Sequence, residues 1–157
     1  MADKTKKDAK KVYGALLRAV EMNGWTCDKD DGKKSVTISV QGDDLPITFS
    51  VFVDGEKQLV KLLSRIPIEF GKDKINDSAV AVCNINYALT DGRFDLDTDN
   101  GQVYYRMTAT FMESDLSQVA LLYMINYATW AMDTFNGKLL AISAGNLTVD
   151  DFLANMK

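Results

Sequence analysis

The 157-residue chain carries 46% hydrophobic and 25% charged residues, with a formal net charge of −4. Such a length and composition are typical of one globular domain that needs no disulfide or metal to hold its core, so we expect a single domain over residues 1–157. The mild negative charge argues against nucleic acid as a partner, because nucleic-acid-binding domains are usually basic.

The chain contains no histidine. Ser-His-Asp and Cys-His catalysis, histidine general bases and histidine metal ligands are therefore excluded. The two cysteines, Cys27 and Cys83, form no CxxC pair, which argues against a zinc ribbon or a thioredoxin-like redox site. We expect no cofactor, no metal and no enzyme activity.

The first predicted element is a helix that begins near Thr5 and ends before Gly24. Thr5 and Asp8 fit a capping box, and apolar side chains recur at helical spacing from Ala9 to Val20. The opening sequence MADKTKKDAKK is polar and lysine-rich, unlike a secretory signal, so we expect a cytoplasmic protein.

Three strands of an antiparallel meander are predicted next, because the apolar residues change to alternate positions. They cover residues 35–40, 47–53 and 58–66, with a short leading strand at 25–28. Pro67 is expected to end the third strand, since proline cannot donate to a sheet ladder. Such a meander commonly packs one face on the core and leaves the other in water.

Three further helices are predicted after the meander. The second helix covers residues 73–90, where Ile75, Ala79, Val82 and Leu89 share an apolar face. A long third helix is expected from about residue 115 to 135, and a short last one over 148–156, which opens with the capping box Thr148-x-x-Asp151.

The stretch RFDLDTDNGQVYYR, residues 93–106, is the strongest apparent chemical motif. Asp95, Asp97 and Asp99 would fill positions 1, 3 and 5 of a calcium-binding EF-hand loop. Position 6 is Asn100 instead of glycine, and position 12 is Arg106 instead of a carboxylate, so calcium binding is not expected. Acid/base catalysis by the aspartates is not expected either, because their strand face should be wet and Arg106 should keep Asp95 ionised.

A β-hairpin accounts for the same stretch better. Asn100-Gly101 is typical of a two-residue type I′ turn, which would place Leu96 opposite Tyr105. The same register puts Phe94 opposite Met107, and it places Asp95 opposite Arg106 as a cross-strand ion pair. One strand face then collects the apolar side chains of the motif, which are Phe94, Leu96, Val103, Tyr105 and Met107.

The predicted third helix is apolar on nearly all sides, with Asp133 as its one charge between Leu116 and Phe135. Polar residues interrupt it too often for a membrane span. A helix that is apolar on all sides must be covered on all sides. We therefore expect one side on the sheet and another at a protein–protein interface formed by Leu121, Met124, Ile125, Ala128, Met132 and Phe135. Burial beneath the first and last helices is the alternative.

The order of elements and several short motifs resemble the YbjN-like family. The motifs are VCNINYALTDGRF, with Asn86 seven residues before Arg93, then VYYRMTATF, the acidic ESDLSQ, Trp130 in the long helix, and Gly24-Trp25. The resemblance implies a two-layer α+β fold, helix–antiparallel meander–helix–β-hairpin–long helix, similar to type III secretion chaperones. It also implies a binding or sensory-transduction regulatory module with no catalytic residues to carry over.

We therefore expect a chaperone-like, non-enzymatic protein-binding or regulatory module that forms a homodimer. Its partner would be a protein client or a second copy of the chain. The alternative is a small-ligand-binding protein with a pocket between sheet and helices, lined by Tyr87, Tyr123, Tyr127 and Trp130, with Arg65 nearby.

Overall fold

The computed structural model describes the backbone of residues 2–156 and the side chains of residues 8–156. Within these residues, six antiparallel strands form one sheet in the order β1-β2-β3-β4-β6-β5. The elements in chain order are α1 (Ala2–Met22), β1 (Cys27–Asp30), β2 (Ser35–Gln41), β3 (Pro46–Asp54), β4 (Leu59–Glu69), a 3-10 turn (Lys72–Lys74), α2 (Ile75–Ala88), β5 (Arg93–Leu96), β6 (Gln102–Thr110), α3 (Gln118–Ser143) and α4 (Val149–Ala154).

The helices form a second layer on one face of the sheet. The long helix α3 lies at the centre and contacts β3, β4 and β6, while α1 and α2 flank it and contact β3 and β5, respectively. Alternate residues of β3 are buried, from Ile47 to Val53, as the period-two pattern predicts. The other sheet face carries hydroxyl pairs such as Thr37 with Ser50, whose oxygens lie 2.9 Å apart. The predicted two-layer α+β fold and its element order are confirmed.

Strand β4 continues past Pro67, so the prediction that this proline ends the strand is wrong. The register between β4 and β6 shifts between Ile66 and Glu69, which places Pro67 in a β-bulge. On the other side, β3 pairs with β4 only as far as Leu63. A proline at a bulge removes no ladder hydrogen bond, and the strand can therefore run through it.

The hairpin forms, but its predicted register is wrong by two residues. Phe94 lies opposite Tyr105 and Leu96 opposite Val103, so that residues 97–101 connect the strands. The wider turn is stabilised by Asp97, whose carboxylate accepts hydrogen bonds from the amide of Asp99 (3.0 Å) and from the side chain of Asn100 (2.7 Å). A side chain that satisfies its own turn in this way replaces the tighter type I′ geometry.

A two-residue shift keeps every side chain on its predicted sheet face. Phe94, Val103, Tyr105 and Met107 are accordingly buried. The predicted ion pair also forms, because the Arg106 guanidinium lies 2.8 Å from the Asp95 carboxylate along a diagonal of the ladder. The aspartate motif is thus a turn and a surface ion pair.

Helix α3 extends to Ser143, eight residues beyond the predicted end at Phe135. The Asn136-Gly137 pair, which resembles a helix end in sequence, lies inside the helix. A Cβ atom at Gly137 would collide with the Asp44 side chain in the β2–β3 loop. The glycine therefore lies where the exposed Asp44 side chain approaches the helix, and it does not end the helix.

Of the two predicted helix caps, at Thr148 and Thr5, only the one at Thr148 marks the start of its helix. Helix α4 begins as predicted, since the Thr148 hydroxyl accepts a hydrogen bond from the amide of Asp151 at 3.1 Å. Helix α1 begins at Ala2, three residues before the predicted cap at Thr5. The side chain of Thr5 lies outside the described residues.

Asn86 on α2 protects the edge of the sheet. Its side-chain amide donates to the carbonyl of Phe94 and accepts from the amide of the same residue, both at 2.8 Å. Strand β5 is an edge strand, and its outer backbone groups would otherwise lack a partner. The side chain of Asn86 therefore replaces one residue of a missing neighbouring strand.

We expect Asn86→Ala to lower the free energy of unfolding by about 1–3 kcal/mol, because it leaves the backbone amide and carbonyl of buried Phe94 without partners. Urea denaturation followed by circular dichroism measures the loss. Asn84→Ala is the matched control, because Asn84 is exposed on the same helix and bonds only to the Val80 carbonyl. Equal losses in the two variants would contradict the edge-protecting role.

Gly101 at the hairpin tip gives a second test of the fold. Its φ is +73°, and a Cβ atom there would collide with the backbone of Phe70. We expect Gly101→Ala to cost about 2–4 kcal/mol in unfolding free energy, from backbone strain plus the clash. Gly145 has a φ of +76° with open space around it, so Gly145→Ala should cost only about 1 kcal/mol. The difference between the two variants isolates the contact with Phe70.

Candidate functional site

The six side chains predicted to form a protein interface lie inside the molecule. Each is at most 7% exposed, and α3 presses them onto the sheet and the neighbouring helices. The prediction that they contact a partner is therefore wrong for this conformation. The physical reason is the central position of α3, which uses its most apolar side for the core. The six residues are Leu121, Met124, Ile125, Ala128, Met132 and Phe135.

The outward side of α3 carries an aromatic strip, which we define as Tyr123, Tyr127 and Trp130. Tyr123 is 47% exposed, Trp130 is 51% exposed, and Tyr127 between them is half-buried. Their ring centroids lie 5.6 Å and 5.2 Å apart along the strip. Neighbouring rings pack against each other and two of the three are exposed, so they form part of the surface.

The four aromatic residues of the predicted small-ligand pocket line none of the three cavities described below, so the pocket stays a prediction. Tyr87 lies on the last turn of α2 and is 94% exposed. Arg65 lies elsewhere, beside a shallow cavity of about 380 Å³ along residues 65–69 of β4. Two further cavities of about 240 and 300 Å³ are lined by other residues of α3, α4, α1 and β1.

The loop after α2 is fastened to the aromatic strip by hydrogen bonds. The Tyr123 hydroxyl donates to the Asp91 carboxylate at 2.6 Å, and the amide of Thr90 donates to the Tyr127 hydroxyl at 2.8 Å. The buried Tyr105 hydroxyl donates to the carbonyl of Asp91 at 3.2 Å. The bond to the Asp91 carboxylate raises the pKa of Tyr123 to about 12, with smaller contributions from desolvation and negative charge. These contacts hold the rings in a defined position.

Helix α2 carries a second exposed surface, the α2 stripe. Only Ser78, Ala81, Val82 and Ile85 of this helix are buried. The residues on the outward side recur at helical spacing, and none of them is charged. One of them, Val80, is 44% exposed. A solvent-facing helix side is normally charged, and an exposed apolar one indicates a binding surface. The stripe consists of Asn76, Ala79, Val80, Cys83 and Tyr87.

The sequence pattern assigned part of this stripe to the apolar face of the helix, because Ala79 was placed there together with Val82. The stripe could have been found from the near absence of charged residues, the same criterion that was applied to α3. Only one charge, Asp77, interrupts α2, and a helix without a charged side must be covered on both sides. The structure covers only one side of α2.

Other kinds of site are not found in the part of the chain that the structure describes. There, no group of three or more Asp, Glu or Cys side chains could hold a metal ion. None of the described helices is long and apolar enough to cross a membrane.

Comparison with known proteins gives one family and several similar folds. The model of the YbjN family, described as "Putative bacterial sensory transduction regulator", matches residues 14–140. No curated protein matches the sequence. The predicted resemblance to this family is confirmed.

Three solved structures share the fold at low sequence identity. A chain of the HopA1–SchA chaperone–effector complex has a TM-score of 0.55 and 15% identity, with 82% of this chain and 92% of that chain covered. YbjN from E. coli has a TM-score of 0.56 and 9% identity, with coverages of 82% and 93%. A chain of the ExsC–ExsE complex has a TM-score of 0.57 and 15% identity, with coverages of 84% and 96%. The predicted likeness to type III secretion chaperones is confirmed for the fold.

The hydrogen bond between Tyr123 and Asp91 can be tested by titration. Asp91→Asn removes the negative charge, so the pKa of Tyr123 should fall from about 12 toward the ordinary value of about 10. Tyrosinate absorbance measured against pH, with Tyr123→Phe as the reference for the other tyrosines, reports this pKa. The pKa of Tyr123 is higher in the folded protein than in the unfolded chain, so the protonated hydroxyl stabilises the folded state. This stabilisation is fully present below pH 10 and is lost as the pH rises to about 12. An unchanged pKa in Asp91→Asn would contradict the assignment.

Proposed function

The chain belongs to the YbjN family, and from this premise we propose that it is a chaperone-like, non-enzymatic protein-binding or regulatory module that acts as a homodimer. The fold is shared with a chain of a chaperone–effector complex, and this supports a protein as the partner. The lack of histidine supports a role other than catalysis. The cytoplasmic location stays a prediction.

The α2 stripe is the observation that carries the proposal of a homodimer. In a twofold-symmetric dimer, the same surface patch meets itself, so any charge on the patch would face its own copy. The stripe has no charge, and its exposed side chains, such as Val80 and Tyr87, are apolar or aromatic. Homodimer interfaces are more apolar than other protein surfaces. The stripe is therefore suited to a second copy of α2.

The geometry of α2 defines which residues would lie near the twofold axis. The helix spans Ile75–Ala88, so Cys83 and Val80 lie near its middle. In an antiparallel pair of helices, residues at the middle of one helix contact the middle of the other, while Tyr87 would contact the first turn of the partner helix. Packed helix axes lie about 8–10 Å apart. A cysteine at this position is close enough to its copy for a short cross-linker.

We expect the protein to be a dimer at micromolar concentration and Val80→Glu to be a monomer, because it would place two like charges inside the interface. Size-exclusion chromatography with light scattering measures the mass. Met112→Glu is the matched control, since Met112 is 58% exposed in the connection between β6 and α3, outside the stripe. A monomeric parent protein would overturn the homodimer.

Cross-linking through Cys83 gives an independent readout of the same interface. A short bis-maleimide should produce a covalent dimer of the parent protein, because Cys83 is exposed while Cys27 is partly buried. Cys83→Ser should abolish the cross-link and keep the mass of the dimer in light scattering. A dimer that resists both Val80→Glu and cross-linking would show that another surface forms the interface.

A further inference from the structure

We propose that the aromatic strip of α3 binds a basic, arginine-containing segment of a protein partner. This inference rests on the proposed function as a protein-binding module and names the chemistry of the partner. The α2 stripe and the aromatic strip then serve two different purposes, self-association and partner binding.

The aromatic strip has carboxylates at both ends. Asp91 lies at one end, where it accepts the hydrogen bond of Tyr123. Asp133 lies three residues after Trp130, and its carboxylate accepts a hydrogen bond from the amide of Asp43 at 2.8 Å. This bond, together with the contact of Asp44 against α3, brings two more carboxylates of the β2–β3 loop to that end.

Positive charges are absent from two of the elements beside the strip. Helix α1 also packs on α3, and its Arg18 donates a hydrogen bond to the Gln118 side chain at 3.3 Å, while Arg93, which follows Gly92, pairs with Asp95. The loop at residues 42–45 and the segment 75–92 contain no lysine or arginine, and α3 contains one, Lys138, eight residues beyond Trp130. The Lys138 ammonium lies 5.4 Å from the ring centroid of Phe135, whose side chain belongs to the core side of α3. Among the described residues, none of the ion pairs uses the carboxylates of Asp43, Asp44, Asp91 or Asp133.

The combination of aromatic rings and carboxylates that form no ion pair among the described residues selects a particular kind of side chain. A guanidinium group stacks on tyrosine and tryptophan faces and pairs with carboxylates in two-pronged geometry. A second copy of the chain would bring the same negative charges to the surface and would be repelled. An acidic segment would be repelled for the same reason, and a purely apolar one would leave the carboxylates without a cationic partner.

The length of the surface sets the length of the segment. Tyr123 and Gly137 are 14 residues apart on α3, which corresponds to about 21 Å at the helical rise. An extended peptide covers that distance with about six or seven residues. An eight-residue peptide is therefore a suitable probe.

Fluorescence of Trp130 tests the proposal directly. The chain has two tryptophans, so Trp25→Phe leaves Trp130 as the sole tryptophan signal. We expect a peptide of four Arg-Ser repeats to change the emission of Trp130 with saturation, and the affinity to fall as salt rises. The same peptide with glutamine at each arginine position should produce no change. Equal binding of both peptides, or no binding of the arginine peptide, would overturn the inference.

Charge-neutralising variants identify the carboxylates. Asp133→Asn and Asp91→Asn should each weaken the arginine peptide about threefold to tenfold, while their amide oxygens still accept the native hydrogen bonds. Glu56→Gln, an exposed residue in the β3–β4 turn, removes one negative charge elsewhere and should leave the affinity unchanged. An equal effect of all three variants would show attraction by net charge alone and would overturn the assigned site.

Failure of the peptide-binding test can be distinguished from failure of the proposed homodimer. The homodimer is measured by light scattering without any peptide, so failure of the arginine peptide leaves that measurement intact. Failure of dimer formation, in turn, leaves the fluorescence titration interpretable on the monomer, because the aromatic strip belongs to a single chain.

Discussion

The packing of α3 on the centre of the sheet is the constraint on which the other helices depend. Ten residues of α3 between Leu121 and Ile142 are buried, and the helix contacts β3, β4 and β6 in the middle of the helical layer. The helices α1 and α2 can therefore bury apolar surface only on either side of α3. The aromatic contact between Phe94 and Phe135, with ring centroids 6.2 Å apart, joins α3 to the hairpin. Loss of the α3 contacts would remove the surface on which both flanking helices pack.

The position of α2 follows from the need to protect β5. This strand is four residues long and lies at the edge of the sheet, where Asn86 satisfies the amide and carbonyl of Phe94. That contact fixes the rotation of α2 about its axis and turns Ile85 inward. Val80 and Tyr87 then face solvent on the opposite side. A structural requirement at the sheet edge thus produces the surface that we assign to the homodimer.

The two exposed surfaces differ in electrostatics, and this difference separates their roles. The α2 stripe has no charge and suits a copy of itself, whereas the aromatic strip lies among carboxylates and suits a cation. The loop that carries Asp91 joins them, because it follows α2 directly and is bonded to Tyr123 and Tyr127. The proposed partner site therefore lies next to the element that we assign to dimerisation.

The sequence by itself determined the order of the elements, the buried face of each strand, the cap at Thr148 and the ion pair between Asp95 and Arg106. These features depend on local periodicity and on neighbours a few residues away, which a single sequence displays. The family was also predicted from short motifs around Asn86. The predicted strand faces of the hairpin remained correct despite the two-residue error in register, because an even shift changes no side chain's face.

Only the tertiary structure decided the features that depend on distant contacts. Gly137 lies inside a helix at a point where Asp44 approaches it, and Pro67 lies inside a strand at a point where β3 no longer pairs. The same is true of the candidate site. Sequence showed that α3 is apolar on nearly all sides, but which side meets solvent depends on where the sheet lies. The structure turns Met124 inward and Trp130 outward, since the side facing the sheet becomes core and the side away from it remains free for a partner.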